Sequence, residues 1–457
     1  MRYHIRFLPL FCLLLATAFA QKSRPAIDQI ANATLASTGV PSASVSIVEN
    51  GKVTYANAYG KARLNPATPA QPQMRYAIGS ISKQFAATAI LMLQEEGKLS
   101  LDDHVEKYVP GLTRGNEVTI RQLLSHTSGY QDFWPQDYVP PRMLQPISAQ
   151  EILNIWARKP LDFDPGTKWQ YSNTNYVIAG LIVEKLSGMP FFDFIRERIF
   201  KPLGMHSVDD VNLNKLPPTD ATGYFRYALG PPRVAPKEGR GWLFAMGELA
   251  MTAEDLQKWN ISLINQTLLK PVSYKELETE VLLNDGSPTG YALGIDVSNK
   301  NGHRILQHGG EVSGFTATSM VLPDDRMAIV VLTNQDAAEA SSVIAHSIAQ
   351  KLLETASDPK QDALVERVLK GLAQGKIERS LFTANANAYF NAQGLEDYSA
   401  SLSRLGALQS VKQNSQSLRG GMTYRNYTAN YASKPLTISI YEMPDGKIEQ
   451  FIIRPRE

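Results

Sequence analysis

Apolar and polar positions alternate with a period of two through "ASVSIVENGKVTYANAYG", on both sides of Asn50-Gly51, and this predicts a β-hairpin near the amino end. The pattern then changes. From Phe85 to Leu93 the chain is apolar almost all round, with Ala86, Ala87 and Ala89 small enough for close packing, which predicts a buried helix stopping near Gly97. "TNYVIAGLIVEKLSG" reads as a second apolar helix ending near Gly188, after turn-rich segments such as "SHTSGY" and "FDPGTKWQYSN". Late in the chain "RILQHGGEVSGFTATSMVLPDDRMAIVVLTNQ" reads as strands joined by turns, followed by a closing helix "SSVIAHSIAQKLL". Strands thus stand at both ends of residues 24–354 with mostly helix between them, as expected of an antiparallel sheet built from both ends plus an inserted helical lobe.

Beyond "ASDPKQD" the pattern restarts. Two or three amphipathic helices ("ALVERVLKGLAQG", "YFNAQGLEDYSASLSRLG") precede alternating strands, with a tight turn at Asp445-Gly446. The expected organisation is a main domain over 21–355, a linker at 356–360 and a small α+β domain over 361–457.

Composition changes this picture at one place. The chain has 457 residues, 43% hydrophobic and 20% charged, as in ordinary globular proteins. The first twenty residues, "MRYHIRFLPLFCLLLATAFA", combine a short basic start, an apolar run and a small-x-small ending at Ala18-Phe19-Ala20. They read as a secretory signal peptide cleaved after Ala20, and so as a secreted or periplasmic protein with no stable membrane anchor. Cleavage removes Arg2 and Arg6 and takes the formal charge from +2 to neutral, which excludes electrostatic binding of nucleic acid as an expectation. It also removes Cys12, the only cysteine, so neither a disulfide nor a thiol nucleophile is expected.

The candidate chemistry begins where the first buried helix does. Ser80 and Lys83 are three residues apart and share one helix face. The first backbone N–H groups of a helix lack internal partners, so the Ser80 N–H can donate to an oxyanion formed on whatever Ser80 attacks. A lysine kept neutral by burial can take the serine proton. The competing reading is a helix-capping serine beside a lysine that reaches solvent. S-x-x-K occurs again at "SDPK", Ser357–Lys360, but there a proline interrupts it and no apolar helix follows.

"WQYSNTNY" adds Tyr171, whose pKa a nearby lysine ammonium would lower, and Asn173. Y-x-N also occurs at Tyr55, Tyr389 and Tyr424, and Tyr171 also reads as an aromatic core residue. "QHGGEVSG" adds His308 on an expected strand, with Gly309 and Gly310 letting a substrate lie against the strand edge. "SHTSG" at Ser125–Gly129 reads as local backbone satisfaction, and "LDDH" at Leu101–His104 as a solvated loop without metal-ligand spacing.

In this order, Ser80–Lys83, Tyr171–Asn173 and His308–Gly310 resemble the three motifs of the penicillin-recognising serine hydrolases. The likeness is greatest to the branch holding class C β-lactamases, serine D-Ala-D-Ala peptidases, D-aminopeptidases and related esterases. "GSISKQF", "EEGKLSLDD", "PGTKWQYSN" and "FKPLGM" extend the resemblance over Ile27 to Leu353. It implies an α/β (α+β) fold of β-lactamase/DD-peptidase type: a mostly antiparallel sheet flanked by helices, beside an all-helical lobe. It implies Ser80 as nucleophile, Lys83 as its activator, Tyr171 as general base and then acid, and Asn173 orienting Lys83 and substrate. The oxyanion hole would use the N–H groups of Ser80 and Glu311, and no metal or cofactor is implied.

The third motif departs from the Lys-Thr-Gly of class C β-lactamases. His308 supplies little cationic charge near pH 7 and Gly309 no hydroxyl, so a peptidase, aminopeptidase or esterase is expected ahead of an efficient β-lactamase. Aromatic residues in "GYQDFWPQDY" and at Trp242-Leu243-Phe244 fit an acyl pocket or the core equally. The substrate is expected to be a small molecule or short peptide: a D-amino-acid peptide, a β-lactam-like amide or a carboxylic ester. The alternative is a non-catalytic protein of the same fold that binds cell-wall peptides or acylated ligands. Neither the oligomeric state nor the role of the C-terminal domain is legible.

Overall fold

The structure, a computed structural model, describes residues 25–134, 139–300, 302–355 and 359–455. The expected signal peptide lies outside the described residues. Two compact units divide the chain, one holding the described residues up to Ser298 with Arg304–Ile348, the other Asn299–His303 with the residues from Ala349 onward.

The first unit is built on a seven-stranded sheet. Its strands are β1 (Ser42–Glu49), β2 (Lys52–Leu64), β3 (Ala67–Pro69), β4 (Asp296–Lys300), β5 (His303–Val312), β6 (Phe315–Leu322) and β7 (Met327–Thr333), in the order β3-β2-β1-β7-β6-β5-β4. The first three and last four strands of this sheet therefore meet in the middle, where β1 pairs antiparallel with β7 in the register Val45↔Val331. Asn50 and Gly51 both take positive φ and close the β1–β2 hairpin, as their sequence predicts. β6 and β7 are buried along their whole length, so both faces of the sheet centre are covered. The helix Ala253–Asn265 covers part of it and is tied down by Gln257, whose Nε2 donates to Ser46 O at 2.7 Å and Ala328 O at 3.2 Å.

Helices, with a few short strands, fill the sequence between the two halves of the sheet. Ser82–Glu95 is buried from Ser82 to Leu93, and Asn173–Ser187 ends on Gly188 in the left-handed conformation. The two apolar helices read from the sequence are thus the two helices that open on the S-x-x-K and Y-x-N motifs.

The second unit is a sequential four-stranded antiparallel sheet (Leu408–Arg419, Met422–Tyr431, Pro435–Glu442, Ile448–Pro455) with the helices Pro359–Ala373 and Ala392–Leu402. Leu369, Phe382, Phe390, Tyr427, Ile438 and Phe451 form a core of its own. Of the expected linker, 356–358 lie outside the described residues. Pro359 and Lys360 instead open a helix, since proline's fixed φ and missing N–H suit a first helical position.

Candidate active site

Ser80 sits in a single 3₁₀ turn, Gly79–Ile81, that leads directly into the helix Ser82–Glu95. Gly79 has φ +51°, a conformation that L side chains rarely adopt, and this sharp turn brings Ser80 to the head of the helix. β5 lies against the turn with no room to spare. A Cβ on Gly310 would stand 1.8 Å from Ile78 O and 3.2 Å from Ser80 N, and one on Gly79 would stand 2.6 Å from Glu311 N. Glycine is required at both places because two backbones touch there. That contact puts the Ser80 and Glu311 amide nitrogens side by side. The Glu311 carboxylate is engaged elsewhere, accepting from Ala337 N at 2.8 Å. Gly309 is different: only Ala317 O, at 3.9 Å, approaches its would-be Cβ.

Lys83 is fully buried, and its Nζ has three neighbours: Ser80 Oγ at 2.9 Å, Asn173 Oδ1 at 2.8 Å and Met246 O at 2.8 Å. Burial lowers its pKa to about 7, against the opposing field of Asp132. A neutral amine has two N–H donors and one lone pair. Asn173 Oδ1 and Met246 O accept only, so they take the two donors, and the lone pair is left facing the Ser80 hydroxyl.

Asn173 is oriented by Asp132. The Asn173 backbone N–H and Nδ2 donate to Asp132 Oδ1 at 3.0 and 3.2 Å, which turns Oδ1 of the amide toward Lys83. Burial holds the Asp132 carboxyl above its ordinary range, an effect reduced by bonds from Trp134 N and Asn173 and by Lys83.

The Tyr171 hydroxyl hydrogen-bonds Ser80, and Lys83 Nζ lies 5.0 Å from its ring centroid. Its pKa is raised, not lowered as the sequence led one to expect. Burial dominates, the Ser80 bond only partly offsets it, and Lys83 is too nearly neutral to pull it down. Behind Tyr171, the His126 ring stacks at 4.2 Å with a 36° tilt. His126 is wholly buried with φ +61°, and its Nδ1 accepts from Ser172 N at 3.2 Å, pinning the segment that carries Tyr171.

His308 lies on β5 with its ring 6.2 Å from that of Tyr171. Its Nε2 meets the Tyr291 hydroxyl at 2.8 Å, and burial, then Lys83, lowers its pKa to about 4. It is a neutral wall residue, so the third motif contributes no positive charge.

The fold therefore brings Ser80, Lys83, Tyr171 and Asn173 into one connected set, with the backbone of Gly310–Glu311 and the ring of His308 beside it. Asp132, the Met246 carbonyl, His126 as the support of Tyr171, and Tyr291 were not singled out from the sequence. Asp132 left a signal, a lone acid inside the aromatic stretch "GYQDFW"; the Met246 carbonyl left none. Among the described residues no cluster of three or more His, Cys, Asp or Glu could hold a metal ion.

A protein-family model described as Beta-lactamase matches residues 27–353. Penicillin-binding protein 4* of Bacillus subtilis (strain 168) is 28% identical over 307 residues, 64% of this chain and 68% of that protein. Among solved structures, the D-stereospecific amidohydrolase from Streptomyces sp. is similar with a TM-score of 0.62 at 29% identity, over 70% of this chain and 96% of that one. The octameric penicillin-binding protein homologue from Pyrococcus abyssi is similar in fold over 95% of this chain and 98% of its own, with a TM-score of 0.64 at 22% identity.

Proposed function

The chain belongs to the Beta-lactamase family of penicillin-recognising serine hydrolases, and from that premise we propose that it is an exported acyl hydrolase working through an ester on Ser80. The observation that carries this reading is the Lys83 amine: fully buried, near neutrality at pH 7, and 2.9 Å from the hydroxyl it would deprotonate. The Ser80 proton passes to Lys83 as Oγ attacks the substrate carbonyl carbon, and the oxyanion accepts from the Ser80 and Glu311 N–H groups. The tetrahedral centre collapses with loss of the amine or alcohol. Tyr171, kept protonated by burial, donates to that leaving group and recovers a proton from the Lys83 ammonium. Water attacks the acyl carbon next, giving its proton to the neutral lysine. As the C–Oγ bond breaks, the Lys83 ammonium returns that proton to Ser80 Oγ, which frees the carboxylic acid and restores the starting state.

The substrate is an amide or ester: a D-amino-acid peptide or amide, a carboxylic ester or, less efficiently, a β-lactam. The neutral His308 is the reason β-lactams come last, because the third motif offers no cation to hold the carboxylate of such a drug, and Arg304, farther back on the strand, is paired with Glu278. The solved amidohydrolase named above is described as D-stereospecific, which puts D-aminoacyl amides first in a substrate screen. A passive ligand-binding role does not account for a lysine buried against a serine with its pKa lowered to about 7, an arrangement that costs folding energy. The test is fluorophosphonate labelling with peptide mapping: the adduct falls on Ser80, and labelling of Ser80→Ala at the wild-type rate would overturn the assignment.

A further inference from the structure

A cavity of about 470 Å³ lies beside the segments that flank the serine turn. Its wall includes Ala77, three residues before Ser80, and Val312 and Ser313, which directly follow Glu311. It therefore abuts both segments that carry the candidate oxyanion donors. Leu243 joins this apolar wall, and a Cβ on Gly247 would touch Val312 Cγ1 at 3.6 Å, Leu243 Cδ2 at 3.7 Å and the Gly79 carbonyl carbon at 3.8 Å, so these residues enclose the serine turn from one side.

The rest of the lining carries charge of mainly one sign. Arg63, Lys215 and Lys237 all line the cavity, and none of the three side chains makes a hydrogen bond or ion pair with another described residue. The acids nearby are already in use. Glu238 accepts from Ser313 N at 2.8 Å, and Asp210 accepts from Asn212 N at 2.8 Å and Leu213 N at 3.2 Å. Burial lowers the Lys237 pKa, Glu238 and Asp210 oppose this, and the Lys215 charge adds to it. Arg63 and Lys237 are half-buried and Lys215 is exposed, so all three charges are open to an anion that enters the pocket.

We infer that this cavity receives the acyl part of the substrate and selects chains with an apolar stem ending in a carboxylate or other anion, held by Arg63, Lys215 and Lys237. The inference rests on the proposed Ser80 acyl hydrolase and names the substrate class of that same site. It also fits the third motif: with His308 uncharged on β5, anion recognition passes from the leaving-group side to the acyl side. A guanidinium and two ammonium groups match a carboxylate through charge-assisted hydrogen bonds, and the apolar wall takes up the methylenes.

The experiment compares 4-nitrophenyl esters of acetate, hexanoate, adipate and 6-aminohexanoate, each corrected for the rate seen with Ser80→Ala. The expected kcat/KM for adipate exceeds that for hexanoate by about tenfold at low ionic strength, with 6-aminohexanoate the poorest, and the preference shrinks as salt is added. In the Lys215→Glu/Lys237→Glu variant the order inverts to favour 6-aminohexanoate, a gain that misfolding cannot produce. Hexanoate equal to or better than adipate in the wild type, or an adipate preference that survives the charge reversal, would overturn the inference and leave the hydrolase intact. No Ser80-dependent hydrolysis of any ester, acetate included, would overturn both.

Discussion

Two hydroxyls and one amine share a hydrogen-bonded cluster, and burial acts on them in opposite senses: it strips the proton from Lys83 and fixes it on Tyr171. The kcat/KM for a neutral ester is therefore expected to rise about tenfold per pH unit below neutrality and to level off above the Lys83 value of about 7. Histidine adds no limb of its own, because burial already holds His308 at about 4 and His126 far below its ordinary value. Lys83→Ala should lower turnover by about a thousandfold. Asp132→Asn gives a sharper check. The Asp132 charge raises the Lys83 pKa, so its removal should move the midpoint of the pH profile to lower pH. A midpoint that rises or stays fixed would show that another group controls the rate.

The turn at Ser80 and strand β5 work as a pair, since each has a glycine where the other's backbone passes. Their contact predicts an asymmetry between adjacent glycines. Gly310→Ala drives a methyl into the Ile78 carbonyl and should cost roughly 1–3 kcal/mol or more, lowering the melting temperature and abolishing labelling of Ser80. Gly309→Ala meets only Ala317 O and should leave the melting temperature within about two degrees of wild type. Thermal unfolding of the two variants side by side decides the point. The sequence made the helices and hairpins readable because their signals are local: an apolar run from Phe85 to Leu93, Asn50-Gly51 at a turn, Gly188 at a helix end. It also placed Ser80 and Lys83 on one helix face. It could not show that Asp132 turns the Asn173 amide or that Met246 offers its carbonyl, since these bonds join residues that only the tertiary fold brings together. The direction of the Tyr171 shift was misread for the same reason. Proximity to a lysine was legible in the motif, but the burial that outweighs it was not.

All the groups used in this account, from Asp132 and Tyr171 to Glu311, lie in the first of the two units, and each unit has its own hydrophobic core. A chain ending at Thr355 is expected to unfold cooperatively and still to be labelled at Ser80; loss of labelling in a folded truncation would give the second unit a part in catalysis. The meeting of first and last strands at the sheet centre was foreshadowed by strand-like patterning at both ends of residues 24–354, although the β1–β7 register was not. The three cations of the acyl cavity left no motif, because Arg63, Lys215 and Lys237 stand on separate segments that only the fold gathers.

The most direct test is the rate at which a fluorophosphonate adduct forms on Ser80 as a function of pH, followed by intact-protein mass spectrometry. A single rise with its midpoint near 7, lost in Lys83→Ala, is the predicted result. A rate that is flat with pH, or that keeps climbing toward the ordinary lysine range, would mean that the buried amine is not the group that activates the serine.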